Sequence, residues 1–218
     1  MAGTSIGLVV VDVQVDFCPG GALPVRHGDS VIDPINRLLQ SAAAQNTPVI
    51  ATRDWHPPNS THFTTGGGAW PPHCVAGTRG AAFHPGLRIP LMAIVVSKGV
   101  TETEDGYSGF DGTDTAGSSL YSLLHSHGVN QILVCGLATD YCVRETALDA
   151  SQYGFSTFVV LDAIASVDIR QGDGQRALEE LRDAGVYLVD TNAAQQLLSD
   201  APGERRGVAS KLEKPTFD

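Results

Sequence analysis

Residues 5 to 12 read SIGLVVVD, an apolar run that ends at an acidic residue. β-branched and other aliphatic side chains follow one another here. Apolar and polar residues do not alternate, as they would in a strand with one solvent-exposed face. Such a run predicts a strand that is buried on both faces, as strands are in parallel sheets. The stretch therefore predicts a parallel sheet whose two faces are both covered by helices.

Five further apolar runs repeat this pattern along the chain. They cover residues 48–54, 91–98, 130–136, 155–162 and 186–190. Helical patterns separate them, at 118–128, 140–153 and 175–185, and after Asp33-Pro34, where Asp33 is the expected N-cap and Pro34 the first helical residue. The alternation predicts an α/β protein, namely a three-layer α/β/α sandwich around a mainly parallel six-stranded sheet.

The remaining segments divide the chain into one domain and a tail. We expect a single domain over residues 1–200, because a chain of 218 residues most simply forms one core. The stretch 54–90 is rich in Pro, Gly, Thr and His, and a connection of this length is usually functional. Residues 201–218 form a polar, aperiodic tail that is expected to pack loosely.

Charge and cysteine content exclude several classes of partner. The formal net charge is -10, and the 14 Lys and Arg form no basic stripe, which argues against nucleic acid and anionic membranes. No apolar run approaches the ~20 residues of a membrane span, and the first residues do not resemble a signal peptide. The four cysteines form no CxxC pair, which favours reduced thiols and a cytoplasmic location. A monomer and a homo-oligomer are both compatible with this composition.

Chemically capable residues lie where the predicted strands end. Asp12, Asp54, Lys98 and Cys142 all lie at or just after such an end. In open parallel sheets the ligand crevice lies beyond the carboxyl ends of the strands. Residues that are far apart in sequence are therefore expected to converge on one crevice with a small-molecule ligand.

Residues 54 to 73 contain a pattern that is typical of a metal site. Asp54 and His56 point the same way in an extended segment, and His62 and His73 follow in the same loop. One carboxylate and three imidazoles suit Zn, Fe or Mn. The alternative is a set of scattered surface histidines, which is the interpretation given to His27, His84, His125 and His127.

Cys142 is a candidate nucleophile. It is predicted in the first turn of a helix that Asp140 can cap, where the backbone N–H groups and the helix dipole favour a thiolate. Asp12 can serve as the base, and the Lys98 cation can stabilise both groups. The alternatives are a buried small hydrophobe for Cys142, a turn residue for Asp12 and a solvent-directed lysine for Lys98.

Taken together, these residues resemble the nicotinamidase branch of the isochorismatase-like cysteine hydrolases. The resemblance covers about residues 6 to 190. It is carried by VDVQVDFCPGGALPV (11–25), ATRDWHPPNSTHF (51–63), WPPHCVAGT (70–78), SKG (97–99), YSGF (107–110) and GLATDYCVRETALDA (136–150).

The resemblance implies a role for each matching position. Asp12, Lys98 and Cys142 would form the catalytic triad, and Asp54, His56, His62 and His73 would bind one divalent Zn, Fe or Mn ion. The backbone N–H groups of Ala138 and Cys142 would form the oxyanion hole, beside a non-proline cis peptide at Leu137-Ala138. The residues expected around the substrate ring are Phe17, Trp70, Tyr107, Leu137 and Tyr141, the last standing where some relatives have His.

The implied activity is hydrolysis of nicotinamide to nicotinate and ammonia through a thioester, in NAD salvage, with pyrazinamide as a further substrate. Two rival interpretations remain at this point. One is a related hydrolase that acts on another carboxamide or a ureido compound. The other is a non-enzymatic metal-binding or regulatory protein with the same fold.

Overall fold

The computed structural model describes residues 5–200, and its centre is a six-stranded sheet. All pairings between neighbouring strands are parallel. The strands are β1 Ile6–Val11, β2 Val49–Asp54, β3 Ile94–Lys98, β4 Gln131–Leu137, β5 Ser156–Ala165 and β6 Tyr187–Val189. Their order across the sheet is β3-β2-β1-β4-β5-β6, so the wholly buried β1 is a central strand, as its apolar run predicts.

Five helices cover the two faces of this sheet. They are α1 Ile32–Ala44, α2 Leu120–Ser126, α3 Arg144–Gln152, α4 Asp173–Asp183 and α5 Thr191–Ser199. Alternate residues of β1 belong to opposite core clusters, Leu8 with the apolar residues of α1 and α5, and Val9 with those of α2, α3 and α4. The three-layer sandwich expected from the sequence is thereby confirmed.

Two element boundaries differ from the sequence prediction. Helix α1 begins at Ile32, directly after a 3₁₀ turn at Gly28–Val31, so Asp33 lies inside the helix and does not cap it. Strand β3 begins at Ile94, because Leu91 and Met92 project fully into solvent and take no part in the sheet. In both cases the sequence before the true start is typical of the element that follows, and tertiary packing decides at which residue that element begins.

Helix α5 was not predicted. The elements predicted from the sequence end with the last strand, yet Asp190 directly after that strand is a good N-cap residue. Its side chain accepts a hydrogen bond from the Ala193 N–H at 2.7 Å. The apolar side chains of α5 then pack beside α1, and α5 completes that face of the sandwich.

The long connection after β2 is ordered mainly by hydrogen bonds. Its regular structure is one 3₁₀ turn at Thr64–Gly66 and a few isolated bridges. The Gln14 side chain donates to the carbonyls of Asp54 at 2.8 Å and Ala81 at 2.9 Å, and it accepts from the Asp54 N–H at 2.8 Å. These bonds fold the connection back against the end of β1, where the candidate residues lie.

The predicted tail, residues 201–218, lies outside the described residues. Within residues 5–200, no helix is both long enough and apolar enough to cross a bilayer.

Candidate active site and metal centre

Three adjacent strands bring Asp12, Asp54 and Lys98 together. Asp12 follows β1, and Asp54 and Lys98 are paired residues at the ends of β2 and β3. The Lys98 Nζ lies 2.7 Å from Asp12 Oδ2, contacts Asp54 Oδ1 and donates to the Gly106 carbonyl at 2.6 Å. Lys98 is fully buried, so the alternative of a lysine that reaches solvent does not hold.

The charges of Asp12, Asp54 and Lys98 shift one another's pKa values. Burial alone lowers the pKa of Lys98, but the charges of Asp12 and Asp54 outweigh burial and raise that pKa well above its ordinary value. Burial raises the pKa of Asp12, although Lys98 and the Thr52 hydroxyl, which donates to Asp12 Oδ1 at 2.6 Å, act in the other direction. For Asp54 burial also favours a higher pKa, but the Lys98 charge prevails and lowers it. Asp12 therefore binds a proton more readily than Asp54.

Cys142 reaches this group because β4 lies directly beside β1. Val11 pairs with Gly136, whose φ is 121° and whose added Cβ would lie 2.0 Å from the Val11 carbonyl oxygen. Glycine is therefore needed for this close approach of the two strands. The Cys142 thiol ends 3.4 Å from the Lys98 Nζ.

The turn that carries Cys142 differs from the predicted helix start. A wide turn at Thr139–Val143 precedes α3, and Tyr141 within it has non-helical angles, φ -130° and ψ -108°. Asp140 does not cap the helix, because its carboxylate accepts from the N–H groups of Val167 at 2.9 Å and Asp168 at 2.8 Å. These hydrogen bonds instead connect the loop that follows β5 to the turn that carries Cys142.

The surroundings of the Cys142 thiol favour its protonated form. Burial raises its pKa well above the ordinary value, and the opposing effect of Lys98 does not compensate for this. The helix terminus expected to favour a thiolate lies further along the chain, since α3 begins only at Arg144. A base is needed, and Asp12 offers a carboxylate oxygen within 4.8 Å of the sulfur.

Three buried imidazoles form a second cluster beside the first. One ring nitrogen from each of His56, His62 and His73 lies within 4.8 Å of the others. The Nδ1 of His62 lies 2.8 Å from Asp105 Oδ1, and the Nδ1 of His73 lies 2.8 Å from the Pro71 carbonyl. In both rings Nε2 is thereby left to face the cluster.

The donor chemistry of this cluster fits a metal ion. Both ring nitrogens of His56 are buried without a hydrogen-bond partner among the described residues, which is costly unless a ligand binds there. Burial lowers the pKa of His73, so its ring is neutral, as metal ligation requires. Neutral imidazoles suit Zn, Fe and related ions.

Asp54 lies between the two clusters. One of its carboxylate oxygens contacts Lys98, and the other lies 3.8 Å from the His56 Nε2. Asp12, Asp54 and Cys142 also offer ligand atoms within 4.8 Å of one another. The Lys98 ammonium, however, is already bound among these three, and its charge disfavours a second cation there. The imidazole cluster is therefore the better metal position.

An aromatic cleft opens above both clusters. Phe17, Trp70, Tyr107 and Tyr141 line it, together with Ala138 and Cys142. The Trp70 Nε1–H donates to the Tyr107 hydroxyl at 2.9 Å, and the rings of Tyr107 and Tyr141 stack with centroids 6.0 Å apart. Planar aromatic ligands fit between such walls.

The peptide bond between Leu137 and Ala138 is cis, as the resemblance implies. Leu137 itself does not line the cleft, because its side chain is fully buried in the core beneath, where strand alternation directs it. Its place at the substrate ring stays a prediction. Four further residues of the cleft wall are not among the predicted site residues, namely Leu23, Val25, Asp105 and Val167. Leu23 and Val25 belong to the motif at 11–25 that carries part of the resemblance.

The remaining histidines lie elsewhere. His27, His125 and His127 are exposed and His84 is half-buried, and none belongs to the imidazole cluster in the part of the chain that the structure describes. Their interpretation as surface residues agrees with these positions.

Comparison with known proteins assigns the chain to a family. A family model described as the isochorismatase domain matches residues 7–193. The chain belongs to the isochorismatase family. This membership confirms the resemblance seen in the sequence motifs.

Three proteins of known name are similar to this chain over most of its length. The nicotinamidase/pyrazinamidase of Mycobacterium tuberculosis is 43% identical over 185 residues, which are 84% of this chain and 97% of that protein. The pyrazinamidase of Pyrococcus horikoshii in complex with zinc is 40% identical, with a TM-score of 0.79 over 85% of this chain and 99% of that one. PnC1 from L. infantum in complex with nicotinate is 41% identical, with a TM-score of 0.75 over 88% and 95%.

Proposed function

We propose that the protein is a nicotinamidase, which hydrolyses nicotinamide to nicotinate and ammonia in NAD salvage and also accepts pyrazinamide. The observation that carries the proposal is the buried Asp12–Lys98–Cys142 group at the floor of an aromatic cleft, beside three buried imidazoles. The relatives named above support the same substrate class, through their activities and through the nicotinate and zinc complexes.

The first half of the reaction forms a thioester. Asp12 takes the proton from Cys142, and the sulfur attacks the carboxamide carbon as the C=O electron pair moves onto oxygen. The N–H groups of Ala138 and Cys142 hold that oxyanion. The neighbouring N–H groups of Tyr141 and Val143 both donate to the Ala138 carbonyl at 3.1 Å, which shapes the turn around Cys142.

Collapse of the tetrahedral species releases ammonia. Asp12 returns its proton to the leaving nitrogen, and the C–N bond breaks to leave a nicotinoyl thioester on Cys142. Asp12 then takes a proton from water, whose oxygen attacks the thioester carbon. The C–S bond breaks, the sulfur regains the proton held by Asp12, and the product leaves as nicotinic acid, which loses its own proton to water and becomes nicotinate. Lys98 keeps a compensating positive charge beside Asp12 and Cys142 throughout.

Substrate orientation is assigned to the cleft walls and the metal centre. Phe17, Trp70, Tyr107 and Tyr141 would hold the pyridine ring between them. Asp54, His56, His62 and His73 would hold a divalent Zn, Fe or Mn ion. When bound, such an ion supplies a fixed positive charge that orients the ring through its nitrogen or an intervening water.

A substrate series tests this proposal against the alternative of another carboxamide or ureido substrate. Ammonia release is measured with nicotinamide, pyrazinamide, maleamate and N-carbamoylsarcosine. We expect kcat/KM for the two aromatic amides to exceed that for the other two by at least about 100-fold, because their rings can stack on the aromatic walls of the cleft, whereas the other two compounds carry no ring. Faster turnover of maleamate or N-carbamoylsarcosine would favour the alternative, and no turnover of any amide would favour a non-catalytic role.

Replacing His56 tests the metal centre separately. His56→Ala is expected to lower the bound metal from about one ion per chain to background, because His56 is a central ligand of the proposed site. It is also expected to raise the KM for nicotinamide. Metal content is measured by mass spectrometry after dialysis, with the exposed His125→Ala as the matched control. Equal metal content in the two variants would remove His56 from the proposed site.

The cytoplasmic location also stays a proposal. All four cysteines are free and buried, in keeping with a reducing compartment.

A further inference from the structure

The loop at 99–107 connects the Lys98 strand to the aromatic cleft. Gly99 and Gly106 form its base, since a Cβ on Gly106 would lie 2.4 Å from the Gly99 nitrogen. A Cβ on Gly99 would lie 2.4 Å from the His56 ring. At the other end of the loop, the Gly106 carbonyl accepts from Lys98 and the Tyr107 hydroxyl accepts from Trp70. The loop therefore touches the imidazole cluster, the buried lysine and the cleft wall.

The same loop is hydrogen-bonded to the segment that carries His62. The Glu102 carbonyl accepts from the Thr61 N–H at 2.7 Å and from the Thr61 hydroxyl at 2.8 Å. The Glu102 carboxylate accepts from the Asn59 side chain at 2.6 Å. These bonds fix the backbone next to His62, but they do not by themselves fix the rotation of its ring.

Asp105 supplies the contact that the ring lacks. Its Oδ1 lies 2.8 Å from the His62 Nδ1, and His62 is buried whereas the Asp105 side chain is 67% exposed. A carboxylate at this position favours the tautomer that carries the proton on Nδ1, which leaves Nε2 for the cluster with His56 and His73. A carboxylate behind a metal-binding imidazole fixes the tautomer of the ring and makes it a stronger ligand.

We propose that Asp105 is the positioning residue of the metal centre, acting through the ring of His62. The inference rests on the metal site of the proposed function and adds a residue that belongs to neither the ligand set nor the catalytic group. It also gives the loop a role, because Asp105 of the loop contacts His62 and Gly99 lies against the ring of His56.

Zinc affinity tests this role without reference to turnover. The zinc dissociation constant is measured by competition with a chromophoric chelator for the parent and two variants. Asp105→Ala is expected to raise that constant about 10- to 100-fold. Glu104→Ala is the matched control, since it removes the adjacent acid of the same loop, whose carboxylate accepts from the Thr101 N–H at 3.2 Å and has no contact with the imidazole cluster among residues 5–200. It is expected to change the constant by less than about 3-fold.

A second measurement separates positioning from general damage to the loop. In the zinc-loaded parent, imidazole NMR is expected to show the His62 proton on Nδ1 and slow exchange of that proton with water. Asp105→Asn preserves an acceptor oxygen without the charge, so it should retain the Nδ1 proton and lose less zinc affinity than Asp105→Ala. Faster proton exchange is expected in Asp105→Ala alone.

Equal zinc affinities of Asp105→Ala and Glu104→Ala would overturn the inference while leaving the proposed function intact. An Nε2 proton on His62 in the zinc-loaded parent would overturn it too. A parent protein that binds no zinc would overturn both the inference and the metal half of the proposed function.

Discussion

Cys142→Ala is expected to lower the rate of ammonia release from nicotinamide by at least about four orders of magnitude, because the Cys142 sulfur carries the acyl intermediate of the proposed reaction. Structural damage cannot explain such a loss, since removal of a single sulfur leaves a small void beside Lys98. Initial rates are measured at saturating nicotinamide with metal-loaded protein. Nicotinamide binding should persist, because the aromatic walls are unchanged.

The same variant distinguishes the two clusters that could hold a metal ion. Cys142 belongs to the group with Asp12 and Asp54, and not to the imidazole cluster. Metal content is therefore expected to stay at about one ion per chain in Cys142→Ala. Cys135→Ala is the matched control, because its buried thiol faces the Val9 carbonyl within the core. Retained turnover in Cys142→Ala would refute the thioester route, and loss of metal would move the ion to the other cluster.

Lys98→Met is expected to lower the free energy of unfolding by about 3–5 kcal/mol, because it leaves buried carboxylates without their cation. Asp12 and Asp54 flank Lys98, and all three are almost completely inaccessible to water. Methionine fills a similar volume, so the loss reports the charge and not a cavity. Chemical unfolding of the metal-free proteins measures it, and ammonia release should also fall to background.

A double-mutant cycle assigns this loss to the contact between Lys98 and Asp12. Asp12→Asn removes one of the unpaired charges, so the Lys98→Met penalty should shrink in that background. Arg176→Met is the control, because it breaks an ion pair with Asp173 at the surface and should leave stability almost unchanged. An equal Lys98→Met penalty in both backgrounds would show that the energy lies elsewhere, for example in the contact with Asp54.

The fold and the meeting of the candidate residues were predictable because both follow from strand patterns. Apolar runs such as 5–12 identify central parallel strands, and parallel strands bring their ends to one edge. Asp12, Lys98 and Cys142 converge on this basis alone, with the motifs adding their expected roles. Secondary structure with weaker periodicity was less predictable, as α5 and the start of β3 illustrate.

Features that depend on long-range contacts could not be predicted. Asp140 precedes a helix and therefore resembles a cap, but its partners Val167 and Asp168 lie on another loop. Asp105 has no motif of its own, and only the folding of its loop brings it to His62. The raised pKa of the Cys142 thiol likewise comes from burial, which the helix pattern in the sequence does not report.

Ammonia release from nicotinamide by the purified protein, before and after chelation, tests the central claim most directly. The account predicts release by the metal-loaded protein, a large loss after chelation, and recovery when Zn, Fe or Mn is returned. Recovery requires the thiol group and the imidazole cluster to work as one site. Absence of ammonia from metal-loaded protein would contradict the proposed activity, and release that is indifferent to chelation would contradict the role given to His56, His62 and His73.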